Sequence, residues 1–221
     1  MLDWTCVRAV LFDLDDTLLD HRGAADGGAW AWLSARGDWS LDEDATVSLW
    51  RSVESVWFTR FERGEVGFLD QRRGRVRHVL DRELSDEEAD AEFAGYIDAY
   101  RARWRGFADA IPAVERCSAA GYDIAVLTNG GRDVQQAKLD AIGLGHLRMF
   151  SVTDLDCAKP DPRMYTLACE QLGIAPGAAV MVGDNPVNDV DAARVAGLQA
   201  ILLDRTGQAA GSVASLWEIA S

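Results

Sequence analysis

The sequence has little positive charge to balance its acidic side chains. Its 221 residues include 36 acidic and 22 basic ones, which gives a formal net charge of −14 at pH 7. Such an excess of negative charge repels nucleic-acid phosphates and anionic membrane surfaces, so we expect neither a nucleic acid polymer nor a membrane as a partner. A phosphate-binding site in this chain would need a local cation to reverse the field.

Cysteines and long apolar runs are also scarce. The four cysteines form no C-x-x-C pair, and no histidine lies at zinc-ligand spacing, so we expect reduced thiols rather than disulfides or zinc. They are Cys6, Cys117, Cys157 and Cys169. The apolar stretch at 7–12 is too short for the core of a secretion signal, and no run approaches a membrane span. We therefore expect a cytoplasmic protein.

Lysine is rarer still, because nearly all the basic residues are arginine. The only lysines are Lys138 and Lys159. In a chain with this bias, the position of a lysine is informative.

Five short apolar runs predict buried parallel strands. They cover residues 7–12, 123–127, 149–152, 179–182 and 200–203. Between them lie helical patterns, each followed by glycine, at 112–120, 133–142, 162–172 and 188–196. This alternation predicts an α/β fold with a doubly wound parallel sheet, in which chemistry gathers at the carboxyl ends of the strands.

The segment 21–105 has helical spacing and no comparable strand run. It predicts four helices, at 24–35, 41–62, 69–84 and 86–105. We expect residues 1–20 and 106–221 to form the α/β core and residues 21–105 to form an inserted helical unit, which would act as a lid on the active site.

Two carboxylates follow the first predicted strand. Asp13 and Asp15 flank Leu14, and residues two apart in an extended chain point the same way. Like charges this close require a cation or a shared proton, and a divalent ion with oxygen ligands provides the first. Taken alone, the pair is equally compatible with a solvated acidic loop or a helix cap.

Three further groups of polar residues occur near the ends of strands or the starts of helices. Thr128 and Asn129 precede two glycines, whose backbone N–H groups can hold phosphate oxygens. Lys159 precedes a helix and would neutralise a carboxylate and a phosphate. Asp184 ends a strand and Asp189 begins the next helix, so the two can complete an oxygen-rich metal site. A strand-to-helix turn, a surface charge and a favourable charge at a helix N-terminus are the ordinary alternatives.

In this order the four groups resemble the motifs of the haloacid dehalogenase-like (HAD) hydrolase superfamily. The matching segments are Asp13-Leu14-Asp15-Asp16-Thr17, Thr128-Asn129, Lys159-Pro160 and Gly183-Asp184 with Asn188-Asp189. The resemblance covers the whole core. It implies a Rossmann-like core with an inserted all-helical cap domain, and a Mg²⁺-dependent phosphatase acting on a small phosphorylated metabolite.

The resemblance also implies a role for each motif residue. Asp13 would attack phosphorus and form an aspartyl-phosphate, and Asp15 would be the general acid and then the general base. Thr128, the Asn129 backbone and Lys159 would bind the phosphoryl group. Magnesium would be held by Asp13, Asp184, the backbone carbonyl of Asp15 and, through a water molecule, Asp189. Asp16 is expected to face away and has no assigned role.

Other activities stay open at this stage. Haloacid dehalogenases resemble the same pattern but lack an acid at the position of Asp15, which favours ester hydrolysis; a phosphosugar mutase keeps both aspartates. From another class, a receiver-like phosphoacceptor signalling module would place its aspartate on an internal strand and lack the 183–189 motif. A binding protein without turnover is the remaining rival.

The segment 21–105 should decide which substrate is bound. As a hypothesis, one or two of its arginines bind an anionic group of the substrate, although each arginine alone is more typical of a solvated helix face. The segment also offers His21, just after the first motif. The arginines considered are Arg60, Arg63, Arg72, Arg73, Arg75 and Arg77. A monomer or a homodimer is expected.

Overall fold

The computed structural model describes residues 4–219. The chain divides into two compact units, one that runs to His21 and resumes at Arg105, and one at Arg22–Trp104. The first contains all the strands and the second contains most of the first helix and the next three.

The second unit is helical. Its helices are α1 (His21–Ser34, which starts at the boundary), α2 (Glu43–Glu62), α3 (Phe68–Leu80) and α4 (Asp86–Arg101). In its core Trp50 is fully buried and packs against Trp32 and Tyr96, with ring centroids 5.8 and 4.4 Å away.

Two of the predicted helices extend four residues past the observed C-terminal ends. The third ends at Leu80, not at residue 84, because Asp81 adopts a left-handed conformation with φ 49° and turns the chain out of the helix. Ser85 then starts α4, accepting a hydrogen bond from the backbone N–H of Glu88 at 3.2 Å. The fourth helix ends at Arg101, four residues before its predicted end.

A five-stranded parallel sheet lies at the centre of the elements of the first unit. Its strands are β1 (Ala9–Phe12), β2 (Asp123–Thr128), β3 (Arg148–Ser151), β4 (Ala179–Gly183) and β5 (Gln199–Leu202), in the order β3-β2-β1-β4-β5. This confirms the predicted α/β fold with a parallel sheet. The third run was predicted one residue too far along the chain, since β3 begins at Arg148 and Val152 already begins a short helix.

α-Helices lie between the strands of the first unit. They are α5 (Ala110–Ala119), α6 (Arg132–Ala141), α7 (Val152–Leu155), α8 (Pro162–Leu172) and α9 (Ala192–Val195). The pattern at 188–196 was predicted as one helix, but a π-helix at Pro186–Asp191 precedes α9, with the Ala192 N–H bonded to the Val187 carbonyl. Such π-turns occur frequently at functional sites.

The register of the sheet aligns the ends of its central strands. Phe12 lies beside Val126 of β2 and Val182 of β4, and all four residues of β1 are fully buried. Polar residues that directly follow β1 and β4 therefore meet at one edge, next to the end of β2. Within residues 4–219, none of the helices has the length and apolar character that a membrane crossing needs.

Candidate active site

A polar cavity of about 200 Å³ lies at the carboxyl edge of the sheet. It is lined by Asp13, Asp15, Thr128, Asn129, Gly130, Lys159, Asp184, Asn185, Asn188 and Asp189. All the site residues predicted from the four motifs are thus brought together within the first unit.

Asp13 is buried at the end of β1 and is fixed to the neighbouring strand. Its backbone N–H donates to the Val182 carbonyl at 2.9 Å, and its side chain is 7% exposed. The Lys159 ammonium donates to Asp13 Oδ1 at 2.6 Å and to Asp189 Oδ1 at 2.7 Å. One buried lysine therefore bridges the first and fourth motifs.

Both carboxylate oxygens of Asp189 accept hydrogen bonds. Its Oδ1 accepts from Lys159, and its Oδ2 accepts from the Asn185 N–H at 3.0 Å. The side chain occupies space that a Cβ at Gly183 would fill, so Gly183 is required by the close approach of this carboxyl group.

The side chain of Asn129 holds the backbone of the Lys159 loop. Its Nδ2 donates to the Lys159 carbonyl at 2.8 Å, and the Lys159 N–H donates to Asn129 Oδ1 at 2.7 Å. The sequence assigned only a backbone role to Asn129, so this use of the amide is an addition to the prediction.

The charges around Lys159 are strongly unbalanced. Burial, and then the negative charges of Asp189 and Asp15, raise the pKa of Asp13 well above its usual range, although Lys159 opposes them. Burial, and then Asp189 and Asp16, raise the pKa of Asp184 to about 6. Burial disfavours the charged form of Lys159, but Asp13 and Asp189 outweigh it and raise its pKa.

This donor set fits a magnesium ion. Asp13, Asp184 and Asp189 each offer an oxygen, and the three lie within 4.8 Å of one another. Three carboxylates beside one ammonium leave surplus negative charge that a divalent cation would neutralise, and hard oxygen ligands are those that magnesium prefers. The carboxylate of Asp15 is outside this group, which leaves its backbone carbonyl as the predicted ligand.

Asp16 and Thr17 lie beside the acidic group rather than in the cavity lining. Asp16 takes a left-handed conformation with φ 62°, and its charge contributes to the raised pKa of Asp184. The Thr17 hydroxyl donates to Asp184 Oδ1 at 3.4 Å. This electrostatic effect of Asp16 was not predicted from the sequence.

Helix α6 supplies two residues that the sequence analysis did not assign to the site. Lys138 Nζ donates to both oxygens of Asp15, at 2.7 and 2.8 Å. Gln135 Nε2 donates to Asp15 Oδ2 at 3.1 Å and to Thr128 Oγ1 at 2.6 Å. The rarity of lysine, which singled out Lys159, would have identified Lys138 as well.

These contacts favour the ionised form of Asp15. Burial raises its pKa, but Lys138, then His21, and the hydrogen bonds from Lys138 and Gln135 together outweigh it, so the pKa of Asp15 is lowered. His21 Nδ1 lies 3.9 Å from Asp15 Oδ1. Asp13 and Asp15 are therefore shifted in opposite directions, because burial dominates at Asp13 whereas the cation and the hydrogen bonds dominate at Asp15.

Comparison with known proteins gives concordant matches. A model of haloacid dehalogenase-like hydrolases matches residues 7–197. A phosphoserine phosphatase of Thermus thermophilus is 32% identical over 90% of this chain and 89% of its own length. (S)-2-haloacid dehalogenase 4A of Burkholderia cepacia is 29% identical over 91% and 84%.

A solved structure extends the likeness to the whole fold. The HAD-hydrolase YfnB of Bacillus subtilis, crystallised with magnesium, superposes with a TM-score of 0.77 over 96% of both chains. At 18% identity this likeness shows the shared architecture.

Proposed function

Because the chain belongs to the haloacid dehalogenase-like hydrolase family, we propose that it is a magnesium-dependent phosphatase. Its substrate would be a small phosphorylated metabolite, and Asp13 would carry the phosphoryl group between two half-reactions. The observation that carries this proposal is the pair of separately held carboxylates, Asp13 on Lys159 and Asp15 on Lys138.

In the first half-reaction Asp13 is the nucleophile. Its carboxylate oxygen attacks phosphorus, the ester P–O bond breaks, and the leaving oxygen takes a proton from Asp15. The negative charge of the incoming phosphate raises the affinity of Asp15 for that proton. Lys159 favours the ionised, attacking form of Asp13 because its ammonium lies 2.6 Å from Oδ1.

In the second half-reaction Asp15 is the base. It removes a proton from a water molecule that attacks the aspartyl-phosphate, and cleavage of the P–O bond to Asp13 releases inorganic phosphate. Thr128, the Asn129 backbone and Lys159 would bind the phosphoryl oxygens throughout.

Magnesium would be held by Asp13, Asp184 and the backbone carbonyl of Asp15, with Asp189 as an outer ligand. It would shield the approaching negative groups from one another and stabilise charge on the transferring phosphoryl group. The surplus charge of the three carboxylates supports this part of the proposal.

We further propose that residues 21–105 are a cap that determines substrate specificity. Several of the arginines considered have carboxylate partners: Arg73 binds Asp86 and Asp90, and Arg75 binds Glu54. Arg72 is different, because its guanidinium lies over the ring of Phe68 at 4.1 Å and makes no ion pair with any carboxylate whose side chain the structure describes. Of the six arginines considered, Arg72 is therefore the one we propose for binding an anionic group of the substrate.

Dehalogenation is the second candidate, since the relative from Burkholderia cepacia is named as a dehalogenase. The presence of Asp15 favours ester hydrolysis, because an alkoxide needs a proton in order to leave and a halide does not.

The two candidates are separated by assaying one preparation for phosphate release from a panel of phosphorylated metabolites and for chloride release from (S)-2-chloropropionate. We expect magnesium-dependent phosphate release and no chloride. Asp13→Asn should abolish the activity. Undiminished phosphate release in that variant would refute the nucleophile assignment, and chloride release by the wild type would favour the second candidate.

A further inference from the structure

We propose that the face of α6 carrying Gln135 and Lys138 is a positioning element that fixes the Asp15 carboxylate and ties it to the hydroxyl of Thr128. This inference rests on the proposed phosphatase activity and extends it to two residues outside the four motifs. Neither residue is taken to touch the reacting atoms; each acts through Asp15 or Thr128.

The spacing of the two residues allows both of them to contact Asp15. Gln135 and Lys138 are three apart in α6, so they lie on the same face of the helix, one turn from each other. Both are buried, at 1% and 4% exposure. A buried polar face on a helix is costly unless its groups are satisfied, and here each one is satisfied by a site residue.

Lys138 fixes the plane of the Asp15 carboxylate. Its ammonium lies at nearly equal distances from both oxygens, 2.7 and 2.8 Å. A single short contact would leave the carboxylate free to rotate, whereas two contacts from one cation hold both oxygens. The general acid and base of a hydrolase needs such a fixed orientation, because proton transfer falls off steeply with misalignment.

Gln135 connects Asp15 to the phosphate-binding side of the cavity. The two hydrogens of its amide nitrogen can serve Asp15 Oδ2 and Thr128 Oγ1 simultaneously. The opposite orientation of the amide would point its oxygen at a carboxylate, which is unfavourable. Because Thr128 Oγ1 accepts this bond, its own O–H is left to donate to a phosphoryl oxygen.

Gly130 makes room for this arrangement. A Cβ at Gly130 would overlap the Gln135 side chain. The glycine that follows Thr128 and Asn129 therefore has a second reason to be glycine besides offering its N–H to phosphate.

The test compares Lys138→Met and Gln135→Ala with the wild-type enzyme on two aryl phosphates that share a binding mode, 4-nitrophenyl and phenyl phosphate. Phenoxide is the poorer leaving group and depends more on protonation by Asp15. We expect kcat/KM, which reports only the first half-reaction, to fall at least about tenfold with phenyl phosphate and clearly less with 4-nitrophenyl phosphate. Equal losses on both substrates would indicate a merely structural role and would overturn the proposal.

Gln136→Ala is the matched control. Gln136 is the same residue type, adjacent on α6, and its amide binds Asp140 and the Gly145 carbonyl instead, each at 3.0 Å. We expect wild-type kcat/KM and an unchanged ratio between the two substrates. A Gln136→Ala variant that shifted the ratio as Gln135→Ala does would also overturn the proposal.

A measurement that needs no turnover completes the test. The melting temperatures of Lys138→Met, Asp15→Asn and the double variant should be non-additive, because each single change already removes the ion pair between Lys138 and Asp15 and the double change cannot remove it a second time. Additive losses of melting temperature would refute the coupling between Lys138 and Asp15. Failure of the proposed function gives a different result: no phosphate release by the wild type, with non-additivity retained.

Discussion

Asn129 and Lys159 are joined by two reciprocal hydrogen bonds, one in each direction between the Asn129 amide and the Lys159 backbone. The two residues are thirty positions apart and follow different strands. Their pairing fixes the loop from which the Lys159 side chain enters the cavity, so the second and third motifs form one structural unit.

Replacing Asn129 should therefore impair catalysis through Lys159. In Asn129→Asp the donor to the Lys159 carbonyl becomes a carboxylate oxygen, which repels that carbonyl and displaces the loop. We expect kcat/KM for phosphate release to fall by about tenfold to hundredfold, the cost of a displacement near 1 Å. Steady-state assays with 4-nitrophenyl phosphate check this, and a variant with wild-type kcat/KM would show that Lys159 is positioned by other contacts.

Removing the Lys159 charge should strengthen the response of the protein to magnesium. In Lys159→Met the three carboxylates lose their buried cation, so the metal-free protein should melt at a lower temperature than the wild type. Magnesium binds the folded state preferentially, and we expect it to raise the melting temperature of the variant more than that of the wild type. Thermal scans with and without magnesium test this, and an equal or smaller rise would contradict the metal assignment. Phosphate release should fall at least about hundredfold, because the group that stabilises the transferring charge is gone.

Gly183→Ala should weaken metal binding without touching a ligand. The added methyl group would overlap the Asp189 carboxyl group and force it to move. We expect the magnesium concentration for half-maximal activity to rise by about tenfold or more, an effect typical of groups that orient metal ligands. Magnesium titrations of activity measure it. Gly177→Ala is the control, since the nearest atom to a Cβ there is 3.9 Å away.

Asp109 should make the stability of the protein depend on pH. Burial raises its pKa, but hydrogen bonds from Arg205, the Leu216 N–H and the Ser215 hydroxyl together outweigh it, and the pKa is lowered. A carboxyl group with a lowered pKa in the folded state stabilises that state above its unfolded pKa of about 3.9, and this stabilisation is lost as the pH falls through the folded pKa.

Asp109→Asn should therefore lower the free energy of unfolding at pH 7 by about 1–3 kcal/mol, and the difference from the wild type should shrink as the pH is lowered to 3. Urea unfolding at both pH values measures it. Asp123→Asn, at an exposed position at the start of β2, is the control for a general charge effect. A constant difference between wild type and Asp109→Asn at the two pH values would contradict the prediction.

The sequence by itself determined the fold class and the approximate places of the five strands. These features follow from local patterns: buried parallel strands are short and apolar on both faces, and helices end where a glycine follows. Since polar residues just past the ends of parallel strands meet at one edge, the convergence of the four motifs could also be predicted.

Tertiary structure alone decided which side chains pair within that edge. Lys138 meets Asp15 across 123 positions because of the way α6 is rotated against the sheet, and Asn129 binds Lys159 because two loops approach each other. Helix ends were also misplaced where a single residue such as Asp81 adopts a left-handed conformation. Local periodicity carries no information on the rotation of a helix or on contacts between loops, which are fixed only when the core packs.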